Sequence, residues 1–101
     1  MVAEFSIIPM GRGVSVGREL GAVMRLVDDS GLDYRAGSMC TVVEGPWEEV
    51  TALIRRCHQA VLKKSPRVIT SIKIDDRKGA RGRIEGKVRS VIRSSGRPLK
   101  T

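Results

Sequence analysis

Two segments that alternate apolar and polar residues, one near each end of the first 75 residues, bracket two segments with helical spacing. That order constrains the fold more than any other feature of the chain. Residues 2–8 place Ala3, Phe5 and Ile7 on one side and Val2, Glu4, Ser6 and Ile8 on the other, the period of two of a half-buried strand. Pro9 is expected to end this strand, because proline cannot donate to a ladder. Residues 67–74 repeat the pattern, with Val68, Thr70, Ile72 and Ile74 opposed to Ile69, Ser71 and Lys73. Between them, Val16, Leu20, Val23, Leu26 and Val27 recur at helical spacing behind a candidate N-cap at Ser15, and Gly31 suits the left-handed position past the helix end. Trp47, Val50, Leu53, Ile54, Cys57, Val61 and Leu62 make a second helical stripe. Pro46, Glu48 and Glu49 suit its first turn, and Lys63 and Lys64 complement its C-terminal dipole. Tyr34, Ala36 and Met39, followed by Thr41-Val42-Val43, read as two short strands, with Gly37 at a bulge or turn between them. The order β-α-β-β-α-β predicts an α+β, ferredoxin-like sandwich: a four-stranded antiparallel sheet with both helices on one face.

A short third helix is expected after this unit, marked by Ile84, Val88, Val91 and Ile92, with the chain fraying from Ser94 onward. The natural division is a ferredoxin-like body over 1–80 and a basic C-terminal helix and tail over 81–101. Charge divides the chain in almost the same place. Residues 1–76 balance ten basic against ten acidic side chains, so the formal net charge of +8 resides in residues 77–101. There Arg77, Lys78, Arg81, Arg83, Lys87, Arg89, Arg93, Arg97 and Lys100 face Glu85 alone. Any nucleic-acid binding therefore belongs to that segment. It ranks as the second reading of the chain, with the basic run read first as a solvated face and nucleic acid not an expected partner, because ferredoxin-like RNA binders stack bases on sheet aromatics and the expected open face here has none. Cys40 and Cys57 form no paired motif and fit reduced thiols in a cytoplasmic protein. No segment has the ~20 consecutive apolar residues of a membrane span.

If Phe5 and Ile72 point toward the helices, the opposite sheet face carries Val2, Glu4, Ser6, Ile8, Ile69, Ser71 and Lys73. Soluble monomers seldom leave such a half-apolar surface bare, so a second subunit is expected to cover it. Glu4, Ser6 and Lys73 then lie in or beside a subunit interface, where buried polar groups need each other, water or a small ligand as partners.

Four segments carry a resemblance: residues 8–15 (IPMGRGVS), 30–34 (SGLDY), 39–45 (MCTVVEG) and 72–77 (IKIDDR). Together they resemble the thiamine-binding protein family, the YkoF-like superfamily, over roughly residues 2–92. The resemblance implies a ferredoxin-like fold, dimers of dimers packed through their sheets, and a link to thiamine or its hydroxymethylpyrimidine half. The family's usual Met-Gly-Thr is Met39-Cys40-Thr41 here, so the Cys40 side chain is expected to narrow a pocket.

The residues suit such a ligand. An aminopyrimidine offers a donor and ring-nitrogen acceptors, and a thiazolium is cationic. Glu44, Thr41, Ser6 and Glu4 supply carboxylates and hydroxyls for these groups, while Phe5, Met39 or Trp47 supply apolar walls. Each has a plainer role available: Glu44 as a charge at a helix start, Ser15 as a cap, Ser6 and Thr41 as strand residues, Trp47 as core, and His58 as a helix-surface or interface histidine. Gly11-Arg12-Gly13 lacks the remainder of a phosphate-binding loop, so an unphosphorylated ligand is expected. One histidine and scattered acids make no catalytic constellation, metal site or cofactor box. The expected function is therefore non-catalytic binding of a small molecule.

Overall fold

The computed structural model describes residues 1–11 and 17–101. The expected cap at Ser15 and the first apolar position of the first helix, Val16, lie outside the described residues. Seven elements follow in order: β1 (Val2–Met10), α1 (Gly17–Asp29), β2 (Asp33–Ala36), β3 (Thr41–Glu44), α2 (Trp47–Leu62), β4 (Arg67–Asp75) and α3 (Arg83–Ser95). The strands form one antiparallel sheet in the order β2-β3-β1-β4. This is the ferredoxin-like arrangement, with the first and last strands as neighbours.

The alternation fixes which side of the sheet is buried. Ala3, Phe5 and Ile7 of β1 and Val43 of β3 are buried with Val23 and Val27 of α1 and with Val50, Leu53, Ile54, Cys57 and Val61 of α2. Ser30 closes α1 by donating its hydroxyl to the Val27 carbonyl at 2.6 Å. Gly31 then takes φ +77° past the helix end, the left-handed conformation expected of it. At Gly37 the structure shows a turn and no bulge. Its N–H donates to the Cys40 carbonyl at 2.9 Å, and a Cβ there would lie 2.8 Å from that oxygen.

Four local expectations are corrected. Pro9 does not end β1, which continues to Met10 with Pro9 opposite Val68. β3 pairs only with residues 2–5 of β1, so at Pro9 the strand has a neighbour on one side alone, where proline is tolerated. Trp47 is not core: it opens α2 and is 51% exposed. Ile72 and Ile74 do share the helix side with their partners Phe5 and Ala3, yet both remain largely exposed because β4 is an edge strand. The tail does not fray at Ser94; α3 runs to Ser95, where Gly96 at φ +69° donates to the carbonyls of Ile92 and Arg93. None of the described helices is long and apolar enough to cross a membrane.

Candidate functional site

The register arranges the sheet face opposite α1 and α2 into rows across the strands. Asp33, Glu44, Val2 and Asp75 make the first row, and Arg35, Val42, Glu4 and Lys73 the second. Ser6 with Ser71, Ile8 with Ile69, and Met10 with Arg67 continue along β1 and β4. Polar residues thus occupy the middle of the face, and half-exposed aliphatics its far end, where Ile8 is 50% and Ile69 40% exposed.

A shallow cleft lies over the middle rows, lined by Glu4, Phe5, Ser6, Cys40, Ser71, Ile72 and Lys73. Its volume is about 120 Å³. The Cys40 thiol lies 3.5 Å from a Glu4 carboxylate oxygen and donates toward it. Partial burial, and then the adjacent Glu4 carboxylate, push the Cys40 thiol above its ordinary pKa, so it stays neutral at pH 7. The cleft therefore presents one carboxylate, one ammonium, two hydroxyls and a thiol over a partly apolar floor. Such a set can accept hydrogen bonds from an amino group, face a cation with Glu4, and donate to a ring nitrogen from Lys73 or a serine.

Of the seven residues singled out from the sequence, Glu4, Ser6 and Lys73 come together here, and Phe5 contributes to the lining. The others lie elsewhere. Thr41 is opposite Phe5 on the helix side, nearly buried, with its hydroxyl 3.4 Å from the Met24 sulfur. Met39 is 86% exposed in the β2–β3 turn. Glu44 faces the open side, but its carboxylate accepts the backbone N–H groups of Arg83 at 3.0 Å and Ile84 at 3.2 Å. It caps α3, a helix start about 40 residues downstream, whereas the sequence offers it as a ligand carboxylate or as a charge at the α2 start.

α3 is held over the β3 end of the same face. Beside the Glu44 cap, Arg35 of β2 pairs with Glu85, and Lys87 pairs with Asp75 of β4. Lys87, through its hydrogen bond first, holds the Asp75 carboxyl below the usual carboxylate range. Between helix and sheet runs a second, larger cleft with Val2, Val42, Ile84, Val88 and Ile92 as its apolar wall and Arg35, Glu85 and Arg89 at its polar rim. Sequence reasoning missed this cleft. The apolar positions of α3 were its available signal, but nothing local in the chain says which surface they face.

Among the described residues, no three His, Cys, Asp or Glu side chains cluster so as to hold a metal ion. His58, on α2, hydrogen-bonds Thr70 of β4 through Nδ1 at 2.6 Å and so ties helix to sheet.

Comparison with known proteins agrees with this architecture. A UPF0045 protein of Mycobacterium bovis is 39% identical over 99 residues, covering 97% of each chain. The crystal structure of a hypothetical protein of Methanocaldococcus jannaschii superposes with a TM-score of 0.83 at 36% identity, covering 89% of this chain and 93% of that one. A candidate thiamine biosynthesis/salvage protein of Thermotoga maritima shares the fold at a TM-score of 0.78 and 20% identity, covering 89% of this chain and 96% of that one. The family model described as thiamine-binding protein matches residues 3–92, nearly the whole of the sheet and its three helices. The chain belongs to the thiamine-binding protein family.

Proposed function

We propose that this protein binds thiamine or its hydroxymethylpyrimidine half without transforming it, in a site that two copies of the chain complete. The observation that carries the proposal is the cleft around Glu4. It sets a carboxylate beside Ser6, Ser71 and Lys73 on the part of the sheet face that α3 leaves open. Glu4 faces the ligand's amino group or its cationic ring, and Lys73 or a serine donates to a pyrimidine nitrogen. The cleft's volume of about 120 Å³ falls short of the roughly 300 Å³ at which small-molecule sites begin. A second sheet face laid over the first supplies the missing wall and covers Ile8 and Ile69. Family membership supports the ligand class, and the Thermotoga relative's link to thiamine biosynthesis or salvage points the same way. The assembly we propose is a dimer of dimers. Its place of action is the cytoplasm, in keeping with two free thiols.

Isothermal titration with thiamine and with hydroxymethylpyrimidine tests the reading. Glu4→Gln is expected to weaken binding by tenfold or more, because a hydrogen bond to a charged group contributes about 1.5–3 kcal/mol. Absence of heat at millimolar ligand, or a Glu4→Gln variant that binds as the parent does, overturns the ligand site. Sedimentation as a lone protomer at micromolar concentration overturns the shared site.

A further inference from the structure

We propose that the outward face of α3 docks on the phosphate backbone of nucleic acid, without reading its sequence. The inference stands apart from the ligand site. It rests on the part of the chain that small-molecule binding leaves unexplained, the net charge of +8 carried by residues 77–101.

The structure turns that excess into a surface. α3 is a complete helix from Arg83 to Ser95, about 20 Å long at 1.5 Å per residue. Ile84 is buried toward the body, and Val88 and Ile92 line the cleft against the sheet. The opposite side carries Arg83, Arg89 and Arg93 around a shallow depression containing Gly86 and Ser90. The Arg83 guanidinium folds over Gly86, where a Cβ would come within 3.0 Å of its Nη1, so the depression is rimmed by guanidinium groups that a phosphate can meet. Glu85, the single acid of the segment, is already engaged by Arg35 through one oxygen and by Arg89 through the other. Arg77, Lys78, Arg81, Arg83, Arg93, Arg97 and Lys100 make no ion pair among the described residues. Glu85 offsets Arg89 and Asp75 lies within the field of Arg83 and Arg77, so the face keeps a net positive field led by Arg93 and the flanking basic residues.

Two features select the partner. An interfacial membrane helix turns its whole apolar stripe outward, whereas α3 buries Ile84 and sets Val88 and Ile92 along the cleft against the sheet, leaving Val91, 60% exposed, as the apolar residue turned furthest out. Base stacking needs aromatic side chains on the binding surface, and neither α3 nor the open sheet face has one. What remains is contact with phosphates, which is salt-dependent and blind to sequence.

Fluorescence anisotropy with a labelled 30-base-pair DNA duplex and a scrambled-sequence twin provides the test. The full-length protein is expected to bind both duplexes equally. Three phosphate contacts, each contributing a slope of about 0.9, predict that affinity falls about 40-fold between 50 and 200 mM salt. The triple variant Arg83→Gln, Arg89→Gln, Arg93→Gln should lose this binding. A control with the same net charge, Arg55→Gln, Arg56→Gln, Lys63→Gln on the exposed side and end of α2, should retain it. Arg93 is exposed and makes only a 3.5 Å contact with Ser90. Arg93→Gln alone should therefore fold normally and reduce the salt slope by about one. The proposal is overturned by no binding at 50 mM salt, by equal losses in the two triple variants, by preference for one duplex, or by binding to phosphatidylserine vesicles and not to DNA.

Discussion

Replacing Glu44 should free α3 while leaving the sandwich folded. One carboxylate, at the end of β3, accepts the first two backbone N–H groups of the helix at 3.0 and 3.2 Å. Little else fixes α3. Ile84 is its one fully buried residue, and burying an isoleucine contributes about 1.5–3 kcal/mol. The pairs Arg35–Glu85 and Lys87–Asp75 are solvent-exposed and screened by water, so they add little. Hydrogen bonds to a charged group contribute about 1.5–3 kcal/mol, so the cap is equal in rank to the whole apolar contact. Its loss in Glu44→Ala should be local, because the core cluster contains no residue of α3. Hydrogen exchange read by mass spectrometry should show the amides of 83–95 accelerating by about ten- to a hundredfold, at a factor of ten per 1.4 kcal/mol. Those of β1 and α2 should keep their parental rates. Glu44→Gln retains one acceptor oxygen and should fall between the two. If α3 exchange is unchanged, or if helix and sheet accelerate to the same degree, the cap does not do what its geometry implies.

Three further outcomes follow from the same coordinates. Asp75 has its pKa depressed by Lys87, so its contribution to holding α3 is present above the ordinary pKa of 3.8 and is lost as pH falls through the lower folded value; Asp75→Asn should remove this acid-induced rise in α3 exchange. Burial pushes the Cys57 thiol up to about 11, so its stabilising contribution is complete below pH 9 and declines as pH rises toward 11. An aromatic disulfide reagent at pH 8 should accordingly titrate Cys40 alone in the native protein and both thiols in denaturant, and two equally fast thiols would contradict the packing. Leu53 is fully buried in the core, and Leu53→Ala should cost about 2–5 kcal/mol in chemical denaturation.

The parts of this fold that were legible in the sequence are those written by period. Alternation in residues 2–8 and 67–74 assigned the two long strands and sorted their side chains correctly between helix side and open side, since a strand cannot change faces without slipping register. Glu4, Ser6 and Lys73 were found for that reason. Thr41 was misplaced because β3 is four residues long, too short for its polarity alone to say which way it points. Its register with Phe5 decides that, and register is a tertiary fact. The sequence offers Glu44 as a ligand carboxylate or, beside Gly45 and Pro46, as a charge near the start of α2. Its actual partners lie about 40 residues away, and no local pattern could have named them. Trp47 was placed in the core on hydrophobicity, but at the first position of α2 it lies beyond the edge of the sheet's buried face.

The open face brings the chain's opposing chemical demands into one order. A neutral body and a cationic appendage are hard to reconcile with a cationic ligand if the appendage lies over the ligand. The structure separates them along the strands. α3 covers the row of Glu44 and Val2, and there Glu44, Glu85 and Asp75 engage the helix or its basic side chains. Two residues further along β1, Glu4 is left for the cleft, with Lys73 and Cys40 beside it. Further still, Ile8 and Ile69 are paired and half-exposed, the apolar surface proposed for subunit contact. Helix docking, the proposed ligand contact and the proposed subunit contact thus fall on successive rows of one sheet face. Glu44 and Glu4 can each be replaced without touching the other contacts, whereas an Ile69 substitution that breaks the proposed assembly should also remove the wall a second copy would give the cleft.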